Sequence, residues 1–237
     1  EEALQTRLLH RSTRRIALTE AGEKTQRWAT RFLDDMDDFV SELTEIRQAP
    51  RGLLHICSSF GFGRNHVAPA IAELSSTYPD LEVRLDVFDR VVDIVAEGFD
   101  LEIRVGDDLP GHHIGRKLVS NQRVLCATPD YLERRGTPLS LKNLAQHDCL
   151  VLKERNNPFG VWQLNHVDGD ETVRVSSRLS SNNGEIVLQW ALSGRGIILR
   201  SLWDVQPLLD QGKLVRVLPA YTQSANVWAV YPTRLSD

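Results

Sequence analysis

Residues 53–66 read LLHICSSFGFGRNH, and residues 81–88 read LEVRLDVF. The first stretch passes from an apolar run into serines and glycines, which predicts a strand over Leu53–Ser58 and a helix over Arg64–Thr77. The second alternates apolar and polar residues, which predicts a strand over Leu81–Phe88. A short helix over Val91–Glu97 and a strand over Leu101–Val105 follow. This βαβαβ order predicts an α/β fold with a mostly parallel sheet.

A second set of alternating elements follows in the rest of the chain. Its predicted strands cover residues 123–127, 173–178, 197–199, 214–218 and 227–231, and its predicted helices cover residues 128–135, 183–192 and 203–209. Because two such sets occur in order, the sequence predicts two α/β lobes rather than one large sheet.

The composition indicates a soluble folded protein. Of 237 residues, 41% are hydrophobic and 25% are charged, and 28 Lys and Arg against 32 Asp and Glu give a net charge of −4. These values exclude a disordered chain. No apolar run is long enough for a membrane helix and no secretory leader precedes the first strand, so we expect a cytoplasmic protein without a membrane partner.

The N-terminal residues predict a hairpin followed by a long helix. Residues 8–19, LLHRSTRRIALT, have apolar ends around a basic turn, and Thr19 is suited to cap a helix. Apolar residues then recur at heptad spacing, which predicts a helix over Thr19–Gln48 whose seam needs a partner. The seam consists of Ala29, Phe32, Met36, Phe39, Leu43 and Ile46. Pro50 and Gly52 end this segment.

Two predicted helix starts are candidate anion sites. Ser58, Ser59 and Gly61 precede the first helix of one lobe, and Asn182 and Asn183 precede a helix of the other. Helix capping without any ligand is an equal alternative for the first start. Gly61 and Gly63 also begin a GxGxxG pattern, but its third glycine is replaced by His66, which argues against dinucleotide binding.

An anion site between the lobes also needs a cation. Arg104, at the end of a predicted strand, is the favoured candidate, and Arg64 and Arg200 are further candidates. A surface salt bridge remains the commoner role for each of these arginines. The basic turn at residues 11–14 has two alternative interpretations, a contact with a nucleic-acid phosphate backbone and a simple solvated turn.

Signatures of catalysis and metal binding are missing from the sequence. No HExxH, GxSxG or CxxC pattern occurs, so we expect no catalytic residue, metal or cofactor. His112 and His113 are predicted to lie in a polar loop, where a solvated pair is favoured over a metal site. Cys57 is predicted to be a core residue rather than a redox sensor.

Several motifs together resemble one family. Residues 4–22 carry Leu4-x3-Leu8-Leu9-x-Arg11-x2-Arg14-x-Ile16-x-Leu18-Thr19-x-Ala21-Gly22. Downstream lie Tyr78-Pro79-Asp80-Leu81, Gly98-Phe99-Asp100-Leu101, Ile103-Arg104-Val105-Gly106 and Gly194-x-Gly196-Ile197. In this order and spacing, the chain resembles LysR-type transcriptional regulators over nearly its whole length.

The resemblance implies a fold, a division into parts and a function. It implies a two-lobed, periplasmic-binding-protein-like effector domain, preceded by a long linker helix and the remnant of a winged helix-turn-helix. The expected parts are residues 1–18, the end of the winged domain; 19–50, the dimerisation helix; 51–118 with 228–237, lobe I; and 119–227, lobe II. The chain begins after the helix-turn-helix that the family pattern contains, so we expect it to be a fragment of a longer protein.

The resemblance also assigns residues by position. It implies phosphate contacts for Arg11, Arg14 and Arg15, and an effector site made of Ser58, Ser59, Phe60, Gly61, Arg104, Val105, Asn182, Asn183, Gly196 and Ile197. The candidate cations Arg64 and Arg200 complete the expected site, although Arg200 occupies a place where many members of the family have an apolar residue. The expected function is that of a ligand-responsive transcriptional regulator, not an enzyme. Its expected partners are promoter DNA, a small carboxylate and further copies of itself in a homodimer or homotetramer. A solute-binding transport protein and an enzyme that uses the interlobe cleft are the alternatives.

Overall fold

The structure is a computed structural model that describes residues 6–11, 16–26, 28–29, 32–33, 36, 49–109, 113–153 and 158–232. The chain divides into two compact units, Glu1–Pro50 and Arg51–Asp237.

The first unit contains the predicted hairpin and the beginning of the predicted helix. Strands β1 (Leu9–Arg11) and β2 (Ile16–Leu18) pair antiparallel. The hydroxyl of Thr19 then accepts a hydrogen bond from the amide of Gly22 at 3.0 Å, as a helix cap does. Residues 20–26, 28–29, 32–33 and 36 are helical, and we call them α1. The second half of the predicted helix lies outside the described residues.

The second unit begins with sheet I, whose strand order is β4-β3-β5-β15-β6. Its strands are β3 (Gly52–Ser58), β4 (Leu81–Val87), β5 (Leu101–Val105), β6 (His113–Val119) and β15 (Val227–Pro232). Strands β4 and β5 pair parallel with β3, as the βαβαβ pattern predicts. Strand β15 pairs antiparallel with both β5 and β6, so the end of the described chain returns to the first lobe.

Sheet II forms the other lobe, with the strand order β11-β8-β12-β7-β13 and β14 also paired with β7. Its strands are β7 (Gln122–Ala127), β8 (Cys149–Leu152), β11 (Ser180–Ser181), β12 (Ile197–Ser201), β13 (Val215–Arg216) and β14 (Thr222–Ser224). A separate hairpin consists of β9 (Val161–Leu164) and β10 (Glu171–Arg174).

Helices accompany both sheets. They are α2 (Phe60–Phe62), α3 (Ala68–Thr77), α4 (Pro129–Arg135), α5 (Gly184–Leu192) and α6 (Leu202–Asp210). A π-helical turn, Gly63–Val67, joins α2 to α3, so the first helix begins at Phe60 rather than at Arg64. A 3-10 helix, Leu141–Gln146, precedes β8.

Each sheet has a buried core on both faces, as expected of an α/β lobe. On β3, Ile56 packs into one cluster with Val67, whereas Cys57 packs into another with Phe99. On β7, Leu125 and Cys126 likewise belong to opposite clusters. This alternation follows from the two-residue period of a strand. It confirms the predicted two-lobed α/β class.

Further local predictions were wrong. Residues 94–98 form turns rather than part of a helix over Val91–Glu97, because Gly98 takes a positive φ of 74° and ends the segment after one turn. His113 is the first residue of β6 rather than part of a loop, and it pairs with Pro232. That partner lies more than a hundred residues away in sequence, so no local pattern indicates it.

The described residues contain no helix that combines the length and the apolar character needed to cross a membrane.

Candidate functional site

A cavity of about 600 Å³ lies between the two sheets, and we call it the central cavity. From the side of sheet I it is lined by Ser59 and Gly61, which follow β3, and by Arg104 near the end of β5. From the side of sheet II it is lined by residues near the ends of β8 and β12, including Lys153 and Arg200. In open α/β folds, ligands bind at the carboxyl ends of strands, and this cavity occupies that place in both lobes.

The structure brings half of the predicted effector residues to this cavity. The predicted residues that line it are Ser59, Gly61, Arg104, Val105, Asn182 and Arg200. The predicted residues that do not line it are Ser58, Phe60, Arg64, Asn183, Gly196 and Ile197.

Three of the residues away from the cavity have packing or capping contacts. Ser58 is buried, and its hydroxyl donates a hydrogen bond to the carbonyl of Ile103 at 2.8 Å. Asn183 caps α5, since its Oδ1 accepts hydrogen bonds from the amides of Glu185 and Ile186. Ile197 is fully buried in the core of sheet II.

Gly196 and Phe60, two further predicted effector residues, also lie away from the cavity. A Cβ at Gly196 would lie 2.2 Å from the carbonyl oxygen of Asp148, so only glycine fits that approach. The ring of Phe60 is exposed, and its amide donates a long hydrogen bond, 3.4 Å, to Oδ1 of Asp89.

Arg64 joins the two lobes instead of lining the cavity. Its Nη1 and Nη2 each lie 2.7 Å from an oxygen of Glu185, in the first turn of α5. This is a bidentate, charge-assisted pair between the helix that follows β3 and the helix that follows β11. Because both side chains are partly exposed, the pair is expected to weaken as salt increases.

The charge of Arg104, the favoured cation, is already compensated. Its Nε and Nη2 donate to the two oxygens of Glu102 at 3.1 and 2.7 Å, and Nη1 donates to the carbonyl of Asp108 at 2.7 Å. The side chains of Arg104 and Glu102 are 6% and 2% exposed. A buried guanidinium with its own carboxylate has little charge to offer an effector.

Arg200 is placed differently. Its Nε donates to Oδ2 of Asp204 at 2.6 Å, while Nη1 and Nη2 have no acceptor among the described residues. A Cβ added to Gly184 would lie 2.0 Å from Nη1, and one added to Gly61 would lie 3.6 Å from Nη2. The guanidinium therefore lies against the start of α5 and close to the start of the first helix of sheet I. The glycine at position 184 provides the space for it.

Most acidic residues of the cavity are engaged by hydrogen bonds. Asp170 accepts from Asn165 at 2.9 Å, and Glu171 accepts from the hydroxyl of Tyr221 at 2.8 Å. That hydrogen bond raises the pKa of Tyr221. Since these carboxylates have donors of their own, they compete less for the cations of the cavity.

Asp107 lies at the crossing between the lobes. Its carboxylate accepts from Ser224 at 2.6 Å, from Trp228 at 2.8 Å and from Asn226 at 2.9 Å. Burial raises the pKa of Asp107, but these hydrogen bonds outweigh it and hold the pKa below its ordinary value. Asp107 thus links the segment after β5 to β15, the strand that returns from sheet II.

Several residues of the cavity were not identified from the sequence. Lys153 follows β8, and β8 itself was not predicted. Trp203 and Phe62 line the cavity with rings 5.3 Å apart, although the sequence analysis assigned neither to the site. Side chains two residues apart on a strand lie on the same face, so the sequence could have predicted that Glu102 and Arg104 are neighbours on β5.

Thiol and metal chemistry find no support in the described residues. All three cysteines are buried, and burial raises the pKa of Cys126 and of Cys149 to about 12. The described residues contain no group of three or more His, Cys, Asp and Glu that could hold a metal ion. His112 lies outside the described residues.

The predicted N-terminal sites are only partly described. Arg11 is the last residue of β1, and Arg14 and Arg15 lie outside the described residues. Of the predicted seam, Ala29, Phe32 and Met36 are helical and exposed, and Phe39, Leu43 and Ile46 lie outside the described residues.

Comparison with known proteins identifies the family. Residues 47–236 match the family model described as the LysR substrate binding domain. The chain belongs to the LysR family. It is 53% identical over 236 residues to the HTH-type transcriptional regulator DmlR of Escherichia coli strain K12, covering all of this chain and 77% of DmlR. It is 51% identical over 231 residues to the transcriptional activator TtdR of the same strain, covering 98% of this chain and 74% of TtdR.

A solved structure of the LysR family also resembles the chain. The structure of CrgA, a LysR-type transcriptional regulator from Neisseria meningitidis, is 28% identical to it with a TM-score of 0.71, covering 98% of this chain and 79% of CrgA. The predicted membership and the predicted two-lobed effector domain are confirmed. As a member of the family, the protein is a ligand-responsive transcriptional regulator with an effector-binding domain. Membership implies promoter DNA, a small effector and an oligomer as its partners.

Proposed function

We propose that the effector of this LysR regulator is a small organic carboxylate that binds in the central cavity with its carboxylate against Arg200. The observation that carries this proposal is the guanidinium whose Nη1 and Nη2 have no acceptor among the described residues, at the start of α5. A planar guanidinium binds a carboxylate through two parallel hydrogen bonds, and the N-terminal end of a helix adds a favourable dipole.

The surroundings of Arg200 support an anion rather than a neutral ligand. Lys153 contributes a second positive charge to the cavity, and its side chain has no hydrogen-bond or ion-pair partner among the described residues. Asp170 and Glu171 are engaged by Asn165 and Tyr221. The described residues that line the cavity include no histidine or cysteine.

An effector at Arg200 would reach both lobes. Arg200 belongs to β12 of sheet II, whereas Gly61 and Ser59 follow β3 of sheet I. A ligand that contacts both lobes favours one relative arrangement of them, by as much as its affinities for the two arrangements differ. Couplings of this kind are about 1–3 kcal/mol. The Arg64–Glu185 pair would belong to the arrangement seen here.

The proposal extends to the N-terminal unit. Arg11, Arg14 and Arg15 would contact DNA phosphates, which position a protein on the duplex without reading its sequence. The apolar seam of α1 would join copies of the chain, and the protein would act in the cytoplasm. In this proposal, residues 51–118 with 228–237 and residues 119–227 are the two effector lobes.

Ligand binding tests the proposal directly. We expect a library of small carboxylates screened by thermal shift to contain compounds that raise the Tm, because a ligand that binds only the folded state stabilises it. We expect Arg200→Gln to weaken the best of them at least about tenfold in titration calorimetry, since it removes a charge-assisted pair worth about 1.5–3 kcal/mol.

Two further variants control this experiment. Arg216→Gln removes an arginine that does not line the cavity, and it should bind the compound as the parent chain does. Gly184→Ala should weaken binding, because the added Cβ displaces the guanidinium. An unchanged affinity in Arg200→Gln would remove Arg200 from the site and overturn the proposal.

A further inference from the structure

The carboxylate of Glu185 lies close to two arginines that belong to different lobes. Arg64, in the π-helical turn that joins α2 to α3, binds it through two contacts of 2.7 Å. A Cβ built on Gly61 would lie 3.6 Å from Nη2 of Arg200 and 3.9 Å from Oε1 of Glu185, so both charged groups approach the same glycine. Among the described residues, however, the ion-pair partner of Arg200 is Asp204 and not Glu185. The structure therefore shows Glu185 paired with one of two neighbouring arginines.

The start of α5 keeps Glu185 beside Arg200. Glu185 directly follows Gly184, and a Cβ at Gly184 would lie 2.0 Å from Nη1 of Arg200. Asp204 of α6 accepts a hydrogen bond from Nε at 2.6 Å, which holds the guanidinium in this place. Since α5, β12 and α6 all belong to the lobe of sheet II, a movement between the lobes leaves Glu185 and Arg200 together. The same movement withdraws Arg64, which belongs to the lobe of sheet I.

A Glu185 without Arg64 would compete with an effector for Arg200. The side chains of Glu185 and Arg200 are 31% and 10% exposed, and charges that are partly removed from water attract each other more strongly than charges in water. A carboxylate tethered beside its partner also has an effective concentration of about 1 mM or more, against which a free anion must compete. The bidentate pair with Arg64 uses both oxygens of Glu185 and so removes this competitor.

We infer that Arg64 is a positioning residue of the effector site, which acts by holding Glu185 away from Arg200. When the lobes lie together as in this structure, Arg64 pairs with Glu185, and the terminal nitrogens of Arg200 are available to a carboxylate. When the lobes separate, Glu185 loses Arg64 and pairs with Arg200, which blocks the site. Effector binding and the approach of the lobes therefore favour each other by the same factor. This inference rests on the proposed function, since it takes Arg200 as the residue that binds the effector.

The pairing of Glu185 can be observed without an effector. Arg64→Gln keeps a polar side chain but removes its charge, and we expect a crystal structure of this variant to show an oxygen of Glu185 within about 4 Å of Nη1 or Nη2 of Arg200. Arg195→Gln, at an exposed position that does not line the central cavity, is the matched control and should leave Glu185 on Arg64. A structure of Arg64→Gln in which Glu185 points to solvent and the terminal nitrogens of Arg200 stay without an acceptor would overturn the inference.

Acetate, a minimal carboxylate probe, tests the consequence for binding. With the 237-residue chain, we expect NMR titration at constant ionic strength to give acetate a Kd of about 10 mM, a value in keeping with so small a ligand. Arg64→Gln should bind acetate at least about fivefold more weakly, because Glu185 then occupies Arg200. The double variant Arg64→Gln with Glu185→Gln should bind acetate within about twofold of the parent chain, because it has no competing carboxylate at this position.

The double variant separates this role from a purely structural one. If the Arg64–Glu185 pair only held the lobes together, the double variant would bind acetate as weakly as Arg64→Gln does, and that result would overturn the inference. Acetate binding in Arg64→Gln that equals binding in the parent chain would overturn it as well.

Arg200→Gln separates the inference from the proposed function. It should abolish acetate binding, and if it does so while Arg64→Gln binds acetate like the parent chain, the proposed function stands and the inference alone fails. If Arg200→Gln leaves acetate binding unchanged, both fail, because Arg200 is then not the site. No binding of acetate to the parent chain at about 100 mM would also overturn the inference, since available terminal nitrogens of Arg200 should be occupied at that concentration.

Discussion

At the scale of single residues, the partner of each arginine decides what that arginine can do. Arg104 is buried and donates hydrogen bonds to Glu102 and to the carbonyl of Asp108, so it stabilises the loop after β5. Arg64 pairs with Glu185 across the lobes. Arg200 has one nitrogen on Asp204, and its terminal nitrogens have no acceptor among the described residues. Three arginines that the sequence analysis treated as alternatives for one role therefore have three different surroundings.

The Arg104–Glu102 pair predicts a loss of stability on truncation. Arg104→Ala removes the guanidinium that pairs with Glu102, whose side chain is only 2% exposed. Breaking a buried pair in this way costs roughly 3–5 kcal/mol. We expect urea denaturation to report a loss of that order in the free energy of unfolding, whereas Lys117→Ala, at an exposed position of β6, should change it by less than about 0.5 kcal/mol. A stability near that of the parent chain in Arg104→Ala would contradict this account of the pair.

At the scale of elements, α1 carries apolar side chains that its own unit leaves uncovered. Phe32 is 64% exposed and Met36 is 48% exposed, at positions of the predicted heptad seam. Trp28 and Leu33 are also exposed, at 65% and 60%. Adjacent apolar side chains of this size indicate an interaction surface. The spacing of the seam favours a second helix of the same kind as the partner.

A charge on the seam should disrupt assembly. We expect Phe32→Glu to lower the mass of the protein measured by light scattering, because the interface would have to bury an unpaired carboxylate. Gln26→Glu adds the same charge at an exposed helical position outside the seam, and its mass should match that of the parent chain. If Phe32→Glu retained the parent mass, the seam would not be the interface.

At the scale of the whole molecule, polar contacts lie close to residues 120–121 and 225–226, the two segments that cross between the lobes. Asp107 accepts hydrogen bonds from Ser224, Asn226 and Trp228, and Asn121 donates to the carbonyl of Ala225 at 2.7 Å. The Arg64–Glu185 pair joins the lobes at their helix starts. Because the Arg64–Glu185 pair is partly exposed, it can separate without unfolding of either lobe.

The carboxylate of Asp107 predicts a pH dependence. Its pKa is lower in the folded state than in the unfolded chain, so its contribution to stability is present above the ordinary aspartate pKa of about 3.9. That contribution is lost as the pH falls below this value and passes through the lower pKa that Asp107 has in the folded protein. We expect Asp107→Asn to be less stable than the parent chain at neutral pH and to approach the parent chain at acidic pH.

Urea denaturation over a pH series measures this difference. Asp80→Asn, at an exposed aspartate whose side chain makes no hydrogen bond with the described residues, should follow the parent chain at every pH. A difference between Asp107→Asn and the parent chain that stays constant down to the acidic end would show that the hydrogen bonds of Asp107 do not depend on its charge.

Elements whose signals are local could be predicted from the order of the residues. The alternation along β3 and β4, the cap at Thr19 and the asparagine-rich start of α5 were all predictable, because strand and helix periods and capping depend on neighbouring residues. The order of these elements was enough to predict two α/β lobes, and the family motifs agreed with them. Six of the twelve predicted effector residues line the central cavity for the same reason, since strand ends in such folds lie together.

The pairing of groups that are distant in the chain became visible only in the folded protein. Strand β6 exists because it pairs with β15, and His113 could not be assigned to a strand without that partner. The cation for the effector is Arg200 rather than Arg104 in our proposal, because Glu102 compensates one guanidinium while Gly184 makes room for the other. The free energy of a charge depends on which groups surround it in space, and residues far apart in the chain supply those groups.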